Sequence, residues 1–180
     1  MTCILGLIHE GKVYLGADSA GSTDEIVLSR KEPKAFKIGK FGFAYTTSFR
    51  MGDILHYSFT PPLFTVGQIT VDKYMRTLFI DEVQATFESG GFGSREKDAD
   101  GETGGNFLVG FAGRLFSIQA DYQVGEHRIE YFADGAGSHF AFGSLHSTAD
   151  HKPKERVLMA LQASAKFSPS VSAPFTIITV

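Results

Sequence analysis

Thr2, directly behind Met1, joins a residue type and a position that together support nucleophilic chemistry. Once Met1 is removed, a terminal threonine carries a hydroxyl and a free amine on adjacent carbons, and the amine can serve as base for the hydroxyl. Threonine is small enough for ordinary methionine removal to expose that amine without a long pro-segment, so the mature chain is expected to span 2–180. Asp18 and Lys34 follow at equal intervals of sixteen residues. A carboxylate and an amine brought beside a hydroxyl would form a nucleophile, a proton acceptor and a group that orients the acceptor.

The elements that would bring them together are legible. Cys3 to Ile8 and Lys12 to Ala17 are apolar, β-leaning runs separated by His9-Glu10-Gly11, the pattern of a hairpin. An antiparallel return places the end of the second strand beside the start of the first, which delivers Asp18 to Thr2. A third strand begins at Lys34 to Ile38, and Phe41 to Thr47 forms a fourth after Gly39-Lys40. Alternation turns Cys3 away from whatever Thr2 faces, so the single cysteine is expected to be a buried core thiol.

Thr2-Cys3-Ile4-Leu5-Gly6, the Gly16-Ala17-Asp18-Ser19 turn and Lys34 resemble the nucleophile, aspartate and lysine of proteasome β-type subunits. These belong to the N-terminal nucleophile (Ntn) hydrolase superfamily, which includes the HslV-like peptidases. The likeness continues through Thr47 to Asp53, where that family passes from strand to first helix, and through Gly135 to Gly143, which resembles its Gly-Ser-Gly segment. It extends over nearly the whole chain and implies a single domain, 1–180. The implied fold is α+β, a four-layer αββα sandwich of two antiparallel sheets.

Periodicity along the rest of the chain agrees with that architecture. Met51, Ile54, Leu55 and Phe59 share one helical face, and Val71, Met75, Leu78, Phe79, Val83 and Phe87 share another. The segment from Gly90 to Gly105 is rich in glycine and charge and reads as a loop. Strands are expected at Asn106–Ala112, Arg114–Ala120, His127–Ala133 and Pro174–Val180, and helices at Ser138–Ser147 and Pro153–Phe167, the last with proline in its first turn.

The 180 residues, 43% of them hydrophobic, suit one domain with a substantial core. No apolar run is long enough to span a bilayer, and a net charge of -3 leaves no basic footprint for nucleic acid. A cytoplasmic location is therefore expected, without membrane or nucleic-acid partners. One cysteine excludes an internal disulfide framework.

The resemblance implies a threonine-type endopeptidase in a homo-oligomeric ring, acting on peptides or unfolded proteins fed by an ATP-dependent unfoldase. It assigns catalysis to Thr2, Asp18 and Lys34. Lys34 would act either as an ammonium lowering the basicity of the terminal amine or, when neutral, as the base itself. The oxyanion donor would be the backbone N–H of Ser48, where the family usually has glycine. The substrate side chain would meet Gly21, Ser22, Thr46, Arg50 and Ile54, with Ser22 pairing to an extended peptide and Arg50 favouring acidic or polar side chains, facing a neighbouring subunit or pairing with Asp53.

Two departures touch the supporting groups. The family's serine aligns with Ala136, leaving Ser138 as the nearby hydroxyl, and its second aspartate aligns at about Ser168, with no carboxylate between Glu155 and the C-terminus. The alternatives are a catalytically silent ring-forming scaffold with exposed Tyr57, Phe59 and Phe64 for contacts, or an Ntn amidase of small amides. No cofactor is implied. Asp98 to Glu102 lacks the closing glutamate of a calcium loop, His146 and His151 lack further metal ligands, and Ser89 to Gly93 lacks the closure of a phosphate loop.

Overall fold

The computed structural model describes residues 2–22, 26–92 and 104–180. Its strands are β1 (Ile4–His9), β2 (Lys12–Ala17), β3 (Ala20–Ser22), β4 (Val27–Ser29), β5 (Ala35–Ile38), β6 (Phe41–Tyr45), β7 (Phe107–Phe111), β8 (Arg114–Ile118), β9 (Val124–Gly125), β10 (Tyr131–Asp134) and β11 (Thr176–Thr179). The helices are α1 (Phe49–Tyr57), α2 (Val71–Tyr74), α3 (Ile80–Ser89), α4 (Ser138–Ser147) and α5 (Pro153–Phe167). A π-helical turn, Met75–Phe79, joins α2 to α3. The calcium-like segment Asp98 to Glu102 and most of the glycine-rich loop lie outside the described residues.

Two antiparallel sheets carry the fold, ordered β10-β1-β2-β11 and β5-β6-β7-β8-β9. Strand alternation sorts their side chains into three cores. Ile4, Val13, Leu15, Ala17, Ala44, Leu108 and Leu115 fill the space between the sheets. Leu5 and Leu7, on the other face of β1, pack with Val157, Ala160 and Leu161 of α5 and Leu145 of α4. Phe43, Tyr45, Phe107 and Val109, on the outer face of the second sheet, pack with Ile54 and Leu55 of α1 and Phe79, Val83 and Phe87 of the α2–α3 stretch. These layers are the expected αββα sandwich.

Several boundaries differ from the sequence expectation. Val71 to Phe87 is one helical stretch, but its middle turn widens to π geometry. His127 to Glu130 is not strand, and Val124–Gly125 supplies the edge strand instead. The Asp18–Ser22 turn continues into a small hairpin, with Ala20 opposite Ser29 and Ser22 opposite Val27. Phe59, expected at the surface, is buried: its ring meets Phe43 and Phe79 edge-on with centroids 5.9 and 5.4 Å away. Phe64 is half-buried against Tyr74 and Phe111, whereas Tyr57 is exposed. No helix among the described residues is long and apolar enough to cross a membrane.

Gly16 sets the spacing between β2 and α5. A Cβ there would lie 2.5 Å from Val157 Cγ1 and 3.1 Å from Leu161 Cδ1, so only a missing side chain lets the helix seat on the strand that precedes Asp18. Gly16→Ala is expected to destabilise the fold by about 1–3 kcal/mol through overpacking. Chemical denaturation, with the midpoint falling and the slope unchanged, checks this.

Candidate active site

Three neighbouring strand ends bring Thr2, Asp18 and Lys34 together. The β1–β2 ladder, Ile4 opposite Ala17, runs one pair further: the Asp18 N–H donates to the Cys3 carbonyl at 3.2 Å. Lys34 stands one residue before β5, and its carbonyl accepts from Tyr45 N at 3.0 Å, which fixes its backbone against the end of β6. Its side chain then crosses from the second sheet to the first.

There Lys34 Nζ lies 2.9 Å from Thr2 Oγ1 and 2.9 Å from Asp18 Oδ1. All three residues are buried, at 4% exposure for Thr2 and 1% each for Asp18 and Lys34. Asp18 Oδ1 also accepts from Cys3 N at 3.1 Å, while Oδ2 accepts from Ala20 N at 2.9 Å and Ser172 N at 3.3 Å. Such a carboxylate is held in one orientation, because three backbone donors and one amine occupy its lone pairs. Burial pulls the Lys34 pKa below the ordinary lysine value, and the Asp18 charge opposes that shift without cancelling it. The result is a lysine whose neutral form is more accessible than at the surface, in hydrogen-bond reach of a hydroxyl.

Cys3 points the other way, as alternation requires. Its thiol donates to Ser164 Oγ at 3.3 Å, and burial pushes its pKa up to about 11, so it stays a neutral thiol at physiological pH. Ser164 is a buried group that sequence reasoning missed. Its hydroxyl lies 2.9 Å from the Gly137 carbonyl and 2.8 Å from the Ala160 carbonyl, tying α5 to the segment that leads into α4. Periodicity alone reads Ser164 as one more small residue on the inner face of α5, and only its position opposite Gly137 reveals the tie.

The remaining assignments fall at different distances from Thr2. Thr46 and Ser48 line a cavity of about 20 Å³ with Thr2, Tyr45, Thr47 and Phe49. The Ser48 N–H donates to the Thr46 carbonyl at 2.9 Å across Thr47, whose φ of 76° makes this a strained γ-turn. Ser48 Oγ accepts from Met51 N and caps α1. Gly21 and Ser22 lie on β3. Arg50 is turned outward, with Nη2 donating to the Gly90 carbonyl at 2.8 Å rather than pairing with Asp53, and Ile54 is buried in the helix-side core. Ser138 opens α4 and Ser168 caps α5; among the described residues neither hydroxyl bonds to Thr2. Arg30 and Phe49, not anticipated, stack beside the lysine: the Arg30 guanidinium carbon is 4.2 Å from the Phe49 ring centre and Lys34 Nζ is 5.7 Å from it.

No group of three or more metal-ligating side chains occurs among the described residues.

Thr2, Lys34 and Asp18 meet at the ends of strands from both sheets of an αββα sandwich, and that fold is similar to the Ntn-hydrolase fold of proteasome-like subunits. Solved structures of that class superpose along the chain. A bacterial proteasome homologue (BPH) from Thiobacillus denitrificans matches with a TM-score of 0.79 at 17% identity, covering 99% of this chain and 97% of that one. HslV from Trypanosoma brucei matches at 0.68 and 13% identity, covering 98% of each chain. Anbu, an ancestral beta-subunit from Yersinia bercovieri, matches at 0.70 and 12% identity, covering 100% of this chain and 81% of that one. At such identities the likeness is one of fold. No protein-family model matches the chain, and no curated protein is similar to it in sequence.

The two charged partners respond differently to removal. Asp18→Ala strands a buried amine without its counter-charge, and is expected to cost about 3–5 kcal/mol. Lys34→Met leaves Asp18 its three backbone donors and is expected to cost less. Because the folded state lowers the Lys34 pKa, the unfolded chain binds more protons, and this group's contribution to stability rises with pH between its folded pKa and the ordinary 10.5. Denaturation of wild type and Lys34→Met at stepped pH checks the sign, since the difference should shift in favour of wild type as pH rises through that window.

Proposed function

We propose that this chain is a threonine-type peptidase subunit that acts through Thr2 after loss of Met1 and assembles into a homo-oligomeric proteasome-like ring. The single observation that carries the reading is the 2.9 Å approach of a buried lysine amine to the Thr2 hydroxyl, with Asp18 at equal distance behind it. An ion pair placed on a turn for stability alone has no need to include a hydroxyl at the end of the chain.

In the proposed reaction the neutral Lys34 amine accepts the hydroxyl proton as Thr2 Oγ1 attacks a peptide carbonyl. The ammonium so formed is stabilised by Asp18, which is already fixed and needs no reorganisation. The proton passes to the departing amine, leaving an ester on Thr2, and water then releases the acyl group by the same base. The terminal amine exposed by Met1 removal stands on the neighbouring carbon and can share the proton. Ser48 N–H supports the oxyanion when it exchanges its bond to the Thr46 carbonyl for one to the substrate. Peptides or unfolded proteins are the proposed substrates, delivered by an ATP-dependent unfoldase, and the cytoplasm the proposed location.

A silent scaffold subunit is the second reading, favoured by Ala136 in place of the family's serine and by the present engagement of the Ser48 N–H. The Thiobacillus denitrificans BPH was also solved in complex with epoxomicin, which makes that compound a direct probe. Intact mass is expected to show loss of Met1 from protein made in its native host and one epoxomicin adduct on Thr2. Thr2→Ala and Lys34→Ala should give no adduct and lose peptide hydrolysis by at least about 10³-fold. Retained Met1, or an adduct that persists in Thr2→Ala, would exclude the peptidase and leave the scaffold. Light scattering should give a mass several times 19.6 kDa; a monomer at working concentration would overturn the ring.

A further inference from the structure

The nucleophile and its proton acceptor sit on different sheets. Thr2 and Asp18 belong to the β1–β2 side, whereas Lys34 and the Thr46–Ser48 turn belong to the β5–β6 side. The 2.9 Å between Lys34 Nζ and Thr2 Oγ1 is therefore a distance between sheets, and whatever fixes the sheets at this rim fixes that distance.

One side-chain pair outside the catalytic trio spans the gap. Asn106, just ahead of β7, donates from Nδ2 to Asp134 Oδ2 at 3.0 Å, and Asp134 is the last residue of β10, opposite Ile4 of β1. Each partner is also bound to the site on its own side. The Asn106 carbonyl accepts from Thr46 N at 3.0 Å, and Asn106 N donates to Thr47 Oγ1 at 3.3 Å, so both arms of the peptide grip the strained turn that presents Ser48 N–H. Asp134 Oδ1 accepts from Gly135 N at 2.6 Å. Gly135, at φ 88°, presses against the Thr2 carbonyl so closely that a Cβ would collide with it, and the same Cβ would stand 3.2 Å from Thr46 Oγ1. Gly137 N completes that side by donating to the Thr2 carbonyl at 3.3 Å.

We propose that Asn106 and Asp134 form a latch between the sheets that positions Thr2 against Lys34 and holds the Thr46–Thr47–Ser48 turn for catalysis. Both act as positioning residues through the groups they hold. The proposal rests on the peptidase reading for its effect on rate, but not for its effect on structure. Asp134 is half-exposed and its pairing with Asn106 is a charge-assisted hydrogen bond, strong enough to define geometry and simple enough to be exchanged.

Two arms test it. In the structural arm, hydrogen exchange at Thr46 and Ser48 is expected to rise at least about tenfold in Asn106→Ala and in Asp134→Ala, while the amides of α3 and α5 keep their wild-type protection. Unchanged exchange at Thr46 and Ser48 overturns the latch, whether or not the protein hydrolyses anything; wild type that neither hydrolyses peptides nor labels at Thr2 sinks the peptidase reading alone. In the kinetic arm, each single variant should lose about 10–100-fold in kcat with little change in KM, because misplacement of reacting atoms falls on the chemical step. The double alanine variant should fall no further than either single, and the exchanged pair Asn106→Asp with Asp134→Asn, which restores a donor opposite an acceptor, should recover most of the rate. Losses that multiply in the double variant, or an exchanged pair as slow as the alanines, overturn the proposal.

Discussion

A lysine amine buried in the seam between two sheets, with one carboxylate for company, is the constraint from which the rest of the molecule can be read. Burying that amine is costly, and the cost is tolerable only where the counter-charge is itself fully satisfied. Asp18 meets this condition through Cys3 N, Ala20 N and Ser172 N, contributed by the residue before β1, by β3 and by the segment before β11. Those donors can converge only if the β1–β2 hairpin has the register observed and if the chain following α5 folds back beside it. The sandwich is thus a means of gathering backbone N–H groups around one carboxylate, which then allows a lysine of lowered pKa to face a hydroxyl.

The same constraint explains why the site is small and rigid while its surroundings are not uniform. On the β1–β2 side, glycines take the load: Gly16 lets α5 approach, Gly137 lets the α4 entry lie against Cys3 and Ser164, and Gly135 reaches the Thr2 carbonyl. On the β5–β6 side, aromatic rings do so, with Phe43, Tyr45, Phe59 and Phe79 filling the helix-side core behind the turn at Thr47. Gly52 gives way to the Tyr45 ring, which would collide with any side chain at that position of α1. The turn carrying Ser48 is consequently pinned from behind by packing and from the side by Asn106. Its positive φ at a threonine is a strain that such over-determination sustains.

Much of this was legible beforehand, and for identifiable reasons. The hairpin at Glu10-Gly11 and the even spacing of Thr2, Asp18 and Lys34 are local signals, since strand pairing of known direction fixes which ends meet. Pro153 and the apolar face of α5 marked that helix to the residue. What failed to show were effects of tertiary placement. Phe59 reads both as part of an apolar helical face and as an exposed aromatic free for contacts, and its edge-on packing on Phe43 settles it in the core. The resemblance sets Arg50 and Ile54 beside the substrate, and nothing in the sequence signals that Ile54 is buried in the helix-side core or that Arg50 donates to the Gly90 carbonyl. Ser164, Asn106 and Asp134 carried no signal, because each is an ordinary polar residue until a partner 27 or 28 positions away is placed beside it.

That last group bears on how the missing supporting residues are to be understood. Where the family resemblance leads one to seek a serine at Ala136 and an acid near Ser168, the chain has neither, yet the strand before Ala136 ends in a carboxylate and the helix before Ser168 carries a buried hydroxyl. Asp134 Oδ1 accepts from Gly135 N, and Ser164 Oγ bonds to the Gly137 carbonyl and accepts from the Cys3 thiol, so both hold the Gly135–Gly137 segment that lies against the Thr2 carbonyl. Polar support around Thr2 has therefore not vanished from this region of the fold. It stands a few residues away, on groups that hold the Gly135–Gly137 segment and the facing turn, and a threonine whose carbonyl is held by that segment needs fewer hydrogen bonds to its side chain to stay beside Lys34.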